Sequence, residues 1–509
     1  MRSAIRNGAL RGLPLTTTGG PGPLHPGLTN GIRGNNTTGQ RRPSTPSASS
    51  NGFHSKSRDC SSEAVAPAAK LPDADPVPPV TPCERVTLDD IKERRAKAGR
   101  LVAPTAAYSD ADMFKAPSKG KPKAKRWDPA KHLKTPGLIS LGGDGSAQMT
   151  RFVTEHTELV GAPPYEDWRV CLTAGSTAAL EQTLRMFCDG RGRGDSLLTE
   201  EFSFSTALET AGPLGVKVVG VKMDGEGVVP GVMDEILSGW DVKARGGQEA
   251  ACTVYRAERA ESDGATQSEE RRREIYEVAR RHDVFIVEDE PYYYLQMQDE
   301  GREAPGGVEE FLEGLIPTYL SMDVDGRVLR MDSFSKVVVP GSRMGWITAS
   351  EQIVERFIRH AEVCNQGPSG FSQVILHKLL DEQWGHEGYL GWLMNLRMEY
   401  TKRRDVMAGA CEEFLPREVV SWNSPKAGMV DHEKHPHAST KSILEIEEEI
   451  FNSCISKGVL VARGSWFRAE QDVPPSALFF RATFAAATPE NMREAIRRLG
   501  KAIRESFKL

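Results

Sequence analysis

From about Leu138 onward the chain alternates short apolar runs with amphipathic segments. "WRVCLTAGSTAALEQTLRMF" reads as a strand, a Gly-Ser-Thr turn and a helix, and "VKVVGVKM", "VFIVED", "RVLRMDSFS" and "GWITAS" read as further strands. "SEERRREIYEVARRHD" carries helical periodicity between two of them, with Thr266 and Glu269 spaced as a capping box. Strands that alternate with helices predict a mainly parallel sheet covered on both faces. Nearer the carboxyl end, "KSILEIEEEIFNSCISKG" predicts an amphipathic helix closed by Gly458. The strands "VLVARG" and "ALFFRATFA" follow it, which predicts a smaller α+β domain.

The amino-terminal stretch has no such pattern. Up to Arg58 it carries Arg2, Arg6, Arg11, Arg33, Arg41, Arg42, Lys56 and Arg58 and no acidic residue, among many Gly, Pro, Ser, Thr and Asn. Such a composition cannot bury enough to fold. "MRSAIRNGALRGLPL" reads either as a short Arg-bearing helix of the transit-peptide kind or as part of a disordered tail, so the compartment is cytoplasmic or mitochondrial. Thr87, before the acidic first turn of "TLDDIKERRAKAGR", is a candidate N-cap, and order is expected to begin near residue 86. The basic stretch "KGKPKAKRWDPAKHLK" reads as a solvated arm. The expected division is a tail over 1–85, an arm over 86–140, a large domain over 141–395 and a small domain over 396–509.

Composition narrows the function classes. A chain of 509 residues with 39% hydrophobic content can bury a core in more than one domain. No run approaches the roughly eighteen apolar residues of a membrane span. The net charge of −5 points to no nucleic-acid or membrane partner. Cys60, Cys83, Cys171, Cys188, Cys252, Cys364, Cys411 and Cys454 are scattered without C-x-x-C spacing, so they read as reduced and structural, and no metal is expected.

In an open α/β sheet, ligands sit beyond the carboxyl ends of the strands. Polar residues follow strands in several places. Gly175, Ser176 and Thr177 lead from a strand into a helix, where free N–H groups and two hydroxyls suit a phosphate. "VFIVEDEPYYY" runs from buried-strand residues into Glu288, Asp289 and Glu290, with Tyr292 three positions after Asp289. In "DSFSKVVVPGSR", Lys336 follows Ser333 and Ser335 and precedes Arg343, a grouping that favours an anion. Arg481, inside the apolar "FFRATF", should need a carboxylate partner.

Together these residues resemble the fold type I pyridoxal-phosphate aminotransferases of class I/II. They are nearest to the subgroup of fungal aromatic and kynurenine/2-aminoadipate aminotransferases. "EDEPYYYLQ", "DSFSKVVVPGSRMGW" and "FFRATFAAAT" stand in that family's order, and the resemblance covers roughly residues 86–509. It implies a seven-stranded, mainly parallel sheet in the large domain, a homodimer, and an amino acid and a 2-oxo acid as substrates. It also implies roles. Lys336 would carry the cofactor as a Schiff base and shuttle the proton, and Asp289 would bind the pyridine nitrogen. Tyr292 would hydrogen-bond the phenolic oxygen and Phe204 would stack on the ring. Ser176, Thr177, Ser333, Ser335 and Arg343 would hold the phosphate, and Arg481 would clamp the substrate α-carboxylate. Glu288 and Glu290 are expected to point away from the ring.

Three places depart from the family pattern. "TVYRAERAESDGATQ" occupies the slot of an N-P-[ST]-G segment and has no asparagine. "LISLGG" runs straight into "DGSAQMTRFV" without a Gly-rich loop and connecting arm. "KAGMVDHEKHP" breaks off at Met429 where an aromatic strand would continue, which predicts a strand lost from the small domain. Abrupt junctions between matched flanks point to misjoined exons, which the sequence of the transcript decides. The alternatives to transamination of an aromatic or 2-aminoadipate-like amino acid, with 2-oxoglutarate as the expected acceptor, are a cofactor-binding but impaired homologue and another fold type I reaction, carbon–sulfur lysis or decarboxylation.

Overall fold

A computed structural model describes residues 86–98, 145–188, 195–241, 250–255, 267–298, 304–422, 428–430 and 432–509. The tail over 1–85, the basic stretch after residue 117, the "LISLGG" junction, Thr266 and most of the expected asparagine slot lie outside the described residues.

The strands of the large sheet are β1 (Trp168–Thr173), β2 (Ser196–Glu200), β3 (Lys217–Val221), β6 (Ala250–Tyr255), β7 (Phe285–Asp289), β8 (Val328–Ser333) and β9 (Gly345–Ser350), with a two-strand ribbon, β4 (Met223–Asp224) and β5 (Gly227–Val228), apart from them. They form a seven-stranded sheet in the order β1-β9-β8-β7-β6-β2-β3. Only β9 runs antiparallel to its neighbours β1 and β8. The fold is α/β, as the alternating pattern predicts. β2 and β6 are additions to that prediction.

Both faces of the sheet are covered, as a parallel sheet requires. Successive residues of a strand point to opposite faces. Ile286 and Val328 accordingly pack with Met233 of the helix Pro230–Ser238 and Ile275 of the helix Glu269–Arg281. Val287, Leu329 and Met331 pack with Leu180 and Leu184 of the helix Ser176–Phe187 and Phe357 of the helix Glu351–Cys364. This alternation decides which carboxylate reaches which side.

Local caps explain where several helices begin. Thr87 caps the helix Leu88–Ala98, its hydroxyl accepting the Asp90 N–H at 3.1 Å. The helix Glu269–Arg281 is capped by Ser268, whose hydroxyl accepts the Arg271 N–H at 3.2 Å. This corrects the capping box expected from Thr266 and Glu269: Ser268 stands immediately before the first helical residue and reaches the N3 amide, so the helix starts from there. Ser442 and Glu445 form a full capping box on the helix Ile443–Ser456, and Gly458 follows it with φ of 73°, a conformation glycine adopts without strain.

The small antiparallel sheet runs β10 (Val420–Trp422), β11 (Gly428–Val430), β13 (Leu478–Arg481) and β12 (Ala462–Arg463). At Met429, where a strand was expected to be lost, β11 pairs with β10 on one side and β13 on the other. The expected strand "VLVARG" is reduced to Ala462–Arg463. Val459 and Val461 ahead of it are buried in the small core instead of extending the ladder. One long helix, Gly385–Phe414, supplies Tyr389, Leu390 and Leu393 to the core of the large sheet and Ala410 and Cys411 to the core of the small one.

Candidate active site

The helix Ser176–Phe187 begins directly after β1, so its first amides stand at the carboxyl end of that strand. Its N-cap, Gly175, has φ of 95°. A side chain there would be strained, and it would also collide with Arg343, because the Arg343 Nη2 lies 2.7 Å from where a β-carbon would stand. Arg343 itself is left-handed, with φ of 49°. Its guanidinium donates to the Ala174 carbonyl at 3.3 Å and to the Ser335 hydroxyl at 3.1 Å. Ser333 and Ser335 are joined through their hydroxyls at 2.9 Å. The Ser176 hydroxyl is buried and has no hydrogen-bond partner among the described residues. Thr177 is exposed beside it. The result is a helix N-terminus, hydroxyls and a guanidinium gathered at one spot, a ready anion site.

Asp289 shares the sheet face of Val287, toward the helix Ser176–Phe187, because it lies two residues further along β7. Ser333 follows Met331 by the same step on β8, and Asp289 and Met331 are register partners. Asp289 and the serines therefore stand at one end of one face. The Lys336 amine, in the exposed turn after β8, lies 5.0 Å from the centre of the Tyr292 ring. Tyr292 is half-buried just beyond β7.

Glu288 and Glu290 fall on the opposite face. Glu288 is fully buried and accepts the Tyr319 and Leu320 N–H groups at 2.9 and 3.2 Å. Arg272, also fully buried, stands 3.6 Å from Glu288 and 3.8 Å from Glu290 and donates to the Pro317 carbonyl at 3.0 Å. Arg330 pairs with Asp332 through two bonds of 2.8 Å on that face. Burial pushes the Arg330 guanidinium toward losing its proton, but the Asp332 carboxylate outweighs that and holds its pKa well above the ordinary value.

Phe204 is the N-cap of the helix Ser205–Ala211 and packs half-buried against the core on the Asp289 face. Arg481, on β13, has its guanidinium 5.3 Å over the Phe467 ring. An aromatic face is a surface that a guanidinium favours. The Phe467 carbonyl accepts the Ser203 N–H at 2.6 Å, and Phe202 lies edge-on to Phe479 at 4.7 Å. β13 is thereby fastened to the turn that carries Phe204. Sequence reasoning missed Trp392, whose indole donates to the Val337 carbonyl at 2.7 Å, because aromatic residues at helical spacing read as core.

The family described as Aminotransferase class I and II matches residues 151–499. The chain belongs to that family. It is 42% identical over 377 residues to an aromatic amino acid aminotransferase of Schizosaccharomyces pombe, covering 72% of this chain and 78% of that one. It is 34% identical to the mitochondrial kynurenine/alpha-aminoadipate aminotransferase of Bos taurus, over 68% of this chain and 76% of the relative. Among solved structures it is similar to aminotransferase Aro8 from Candida albicans, with a TM-score of 0.67 and 40% identity, over 71% of this chain and 77% of that one.

An aminotransferase of this family uses pyridoxal phosphate, and the residues present fit it. The buried Ser176 hydroxyl, the N-terminal amides of its helix and the Arg343 guanidinium suit a phosphate, and Asp289 adds a carboxylate at the end of the same sheet face. Cys171, Cys188, Cys364, Cys411 and Cys454 are free, and of these only Cys364 is exposed. No helix among the described residues is long and apolar enough to cross a membrane.

Proposed function

We propose that this chain transfers the amine of an aromatic or 2-aminoadipate-like amino acid to a 2-oxo acid, with 2-oxoglutarate as the natural acceptor to test first. The substrate class rests on the names of the fungal and bovine relatives. The observation that carries the reading is the convergence of Lys336 and Tyr292 with the Gly175, Ser176, Ser335 and Arg343 cluster at one end of one sheet face.

When bound, pyridoxal phosphate supplies an electron sink for the substrate's Cα–H bond. Ser176, Thr177, Ser333, Ser335 and Arg343 hold its phosphate. Asp289 holds a proton at the pyridine nitrogen, and Tyr292 holds the phenolic oxygen. Lys336 would hold the cofactor through its amine, and the same amine, when free, would move the proton at the substrate Cα. Phe204 covers the ring. Arg481 binds the substrate carboxylate through its two forked N–H donors, with Phe467 fixing the plane of the guanidinium.

Lys336 and Arg343 are both exposed, and Phe371, Val374 and Ile375 line an exposed apolar face of the helix Gly370–Leu376. Patches of this kind mark association surfaces, which supports a homodimer. A cytoplasmic or mitochondrial location is supported by the acid-free, Arg-bearing amino terminus and by the mitochondrial bovine relative. The expected division at residue 396 would fall inside the long helix, between its two cores.

A panel of amino acids, each incubated with and without 2-oxoglutarate, tests the proposal by product analysis. Transamination predicts a 2-oxo acid product and glutamate, formed only with the acceptor present. Turnover without any acceptor contradicts it and points to lysis or decarboxylation.

A further inference from the structure

The turn that carries Lys336 is held in part from the helix Gly385–Phe414. Within the turn, the Val338 and Val339 N–H groups both donate to the Phe334 carbonyl, at 2.9 and 3.0 Å, and the Val337 side chain is buried. The Val337 carbonyl, one residue after the lysine, accepts the Trp392 indole N–H at 2.7 Å. Trp392 leans on Trp384, ring centres 5.5 Å apart, and 40% of its surface is exposed. That much exposure means its ring contributes less to the core than a buried tryptophan would.

Trp392 stands on the long helix Gly385–Phe414, near Tyr389, Leu390 and Leu393, which lie in the core of the large sheet. The far end of the same helix carries Ala410 and Cys411 in the core of the small sheet, with Leu478 and Phe480 of β13. A group that moves a proton must be held within a fraction of an ångström of its productive position. We propose that Trp392 is a positioning residue for Lys336. Its indole N–H fixes the Val337–Val338 peptide, one residue beyond the lysine, and ties that turn to the helix that joins the two cores. This rests on the role proposed above for Lys336.

Trp392→Phe keeps a ring against Trp384 and removes only the donor, whereas Trp384→Phe thins the same pair and leaves the bond intact. In the full chain without cofactor, amide hydrogen exchange over residues 334–339 should quicken about fivefold in W392F, the equivalent of one lost hydrogen bond, and stay unchanged in W384F. With pyridoxal phosphate bound, W392F should lower kcat about three- to tenfold at unchanged KM and shift the pH midpoint of the cofactor's absorbance, with W384F like the parent. Equal exchange in W392F and the parent, or equal acceleration in both variants, overturns the proposal. A parent chain that binds no cofactor would defeat the proposed function alone, because the exchange measurement still decides whether Trp392 holds the turn.

Discussion

The Arg343 guanidinium occupies the space that a β-carbon on Gly175 would need, 2.7 Å from its position. The two residues meet across the gap between the β1 turn and the turn after β8, and each has positive φ. Glycine at 175 is therefore required twice, by conformation and by the close approach of the arginine.

Gly175→Ala should push Arg343 off Ser335 and strain the start of the helix Ser176–Phe187. The expected result is at least tenfold weaker binding of pyridoxal phosphate, with a stability loss of about 1–3 kcal/mol from the forced backbone. A cofactor titration followed by absorbance, beside a urea unfolding curve, measures both. Unchanged affinity would mean that the phosphate does not sit at this helix end.

Glu288 stands between Arg272 and Arg330, at 3.6 and 3.8 Å, and caps the amides of Tyr319 and Leu320. Glu288→Ala leaves two buried guanidiniums short of a counter-charge and should cost about 3–5 kcal/mol. Glu288→Gln keeps one acceptor for the amides and should cost less. Urea midpoints of the two variants check the order, and equal midpoints would argue that the ion pairs contribute nothing.

Glu155 joins the helix Gly145–Gly161 to Arg95 of the first described helix at 2.5 Å and to His386 at 3.0 Å. Burial pushes its carboxyl up, but the hydrogen bonds from His386 and Arg95 outweigh this and draw it down from 4.5 to about 2. A depressed folded-state pKa gives stability that is complete above the unfolded value and is lost as pH falls toward the folded one. The loss should run from about pH 4.5 down toward pH 2. Glu155→Gln should be less stable than the parent at pH 7 and approach it as pH falls, read from urea midpoints at descending pH. A difference that is constant with pH would contradict the shift.

The facing of the three carboxylates was legible because a strand's alternation is strict. Once "VFIVEDE" is a strand, Asp289 must face one way and Glu288 and Glu290 the other. β2 was not legible. "SLLTE" has two apolar residues among polar ones, yet all five are buried, because β3 and β6 flank it and Thr199 turns its hydroxyl to Ser203 at 3.1 Å. β12 was over-read for the opposite reason, since its valines are apolar enough for a strand but serve the core without pairing. Arg481 was recognisable as a cation inside an apolar strand, whereas its aromatic neighbour, contributed by a different segment, was not. Trp392 reads as helix core in sequence because its partner is a backbone carbonyl 55 residues away, and a carbonyl leaves no trace in residue type.

The most direct test of the central claim is the absorbance spectrum of the purified chain with added pyridoxal phosphate, compared with Lys336→Ala. The account predicts a bound-cofactor band that depends on Lys336, bleaches when an aromatic amino acid is added and returns with 2-oxoglutarate. A spectrum identical in the parent and Lys336→Ala, or a band that no amino acid bleaches, would contradict it.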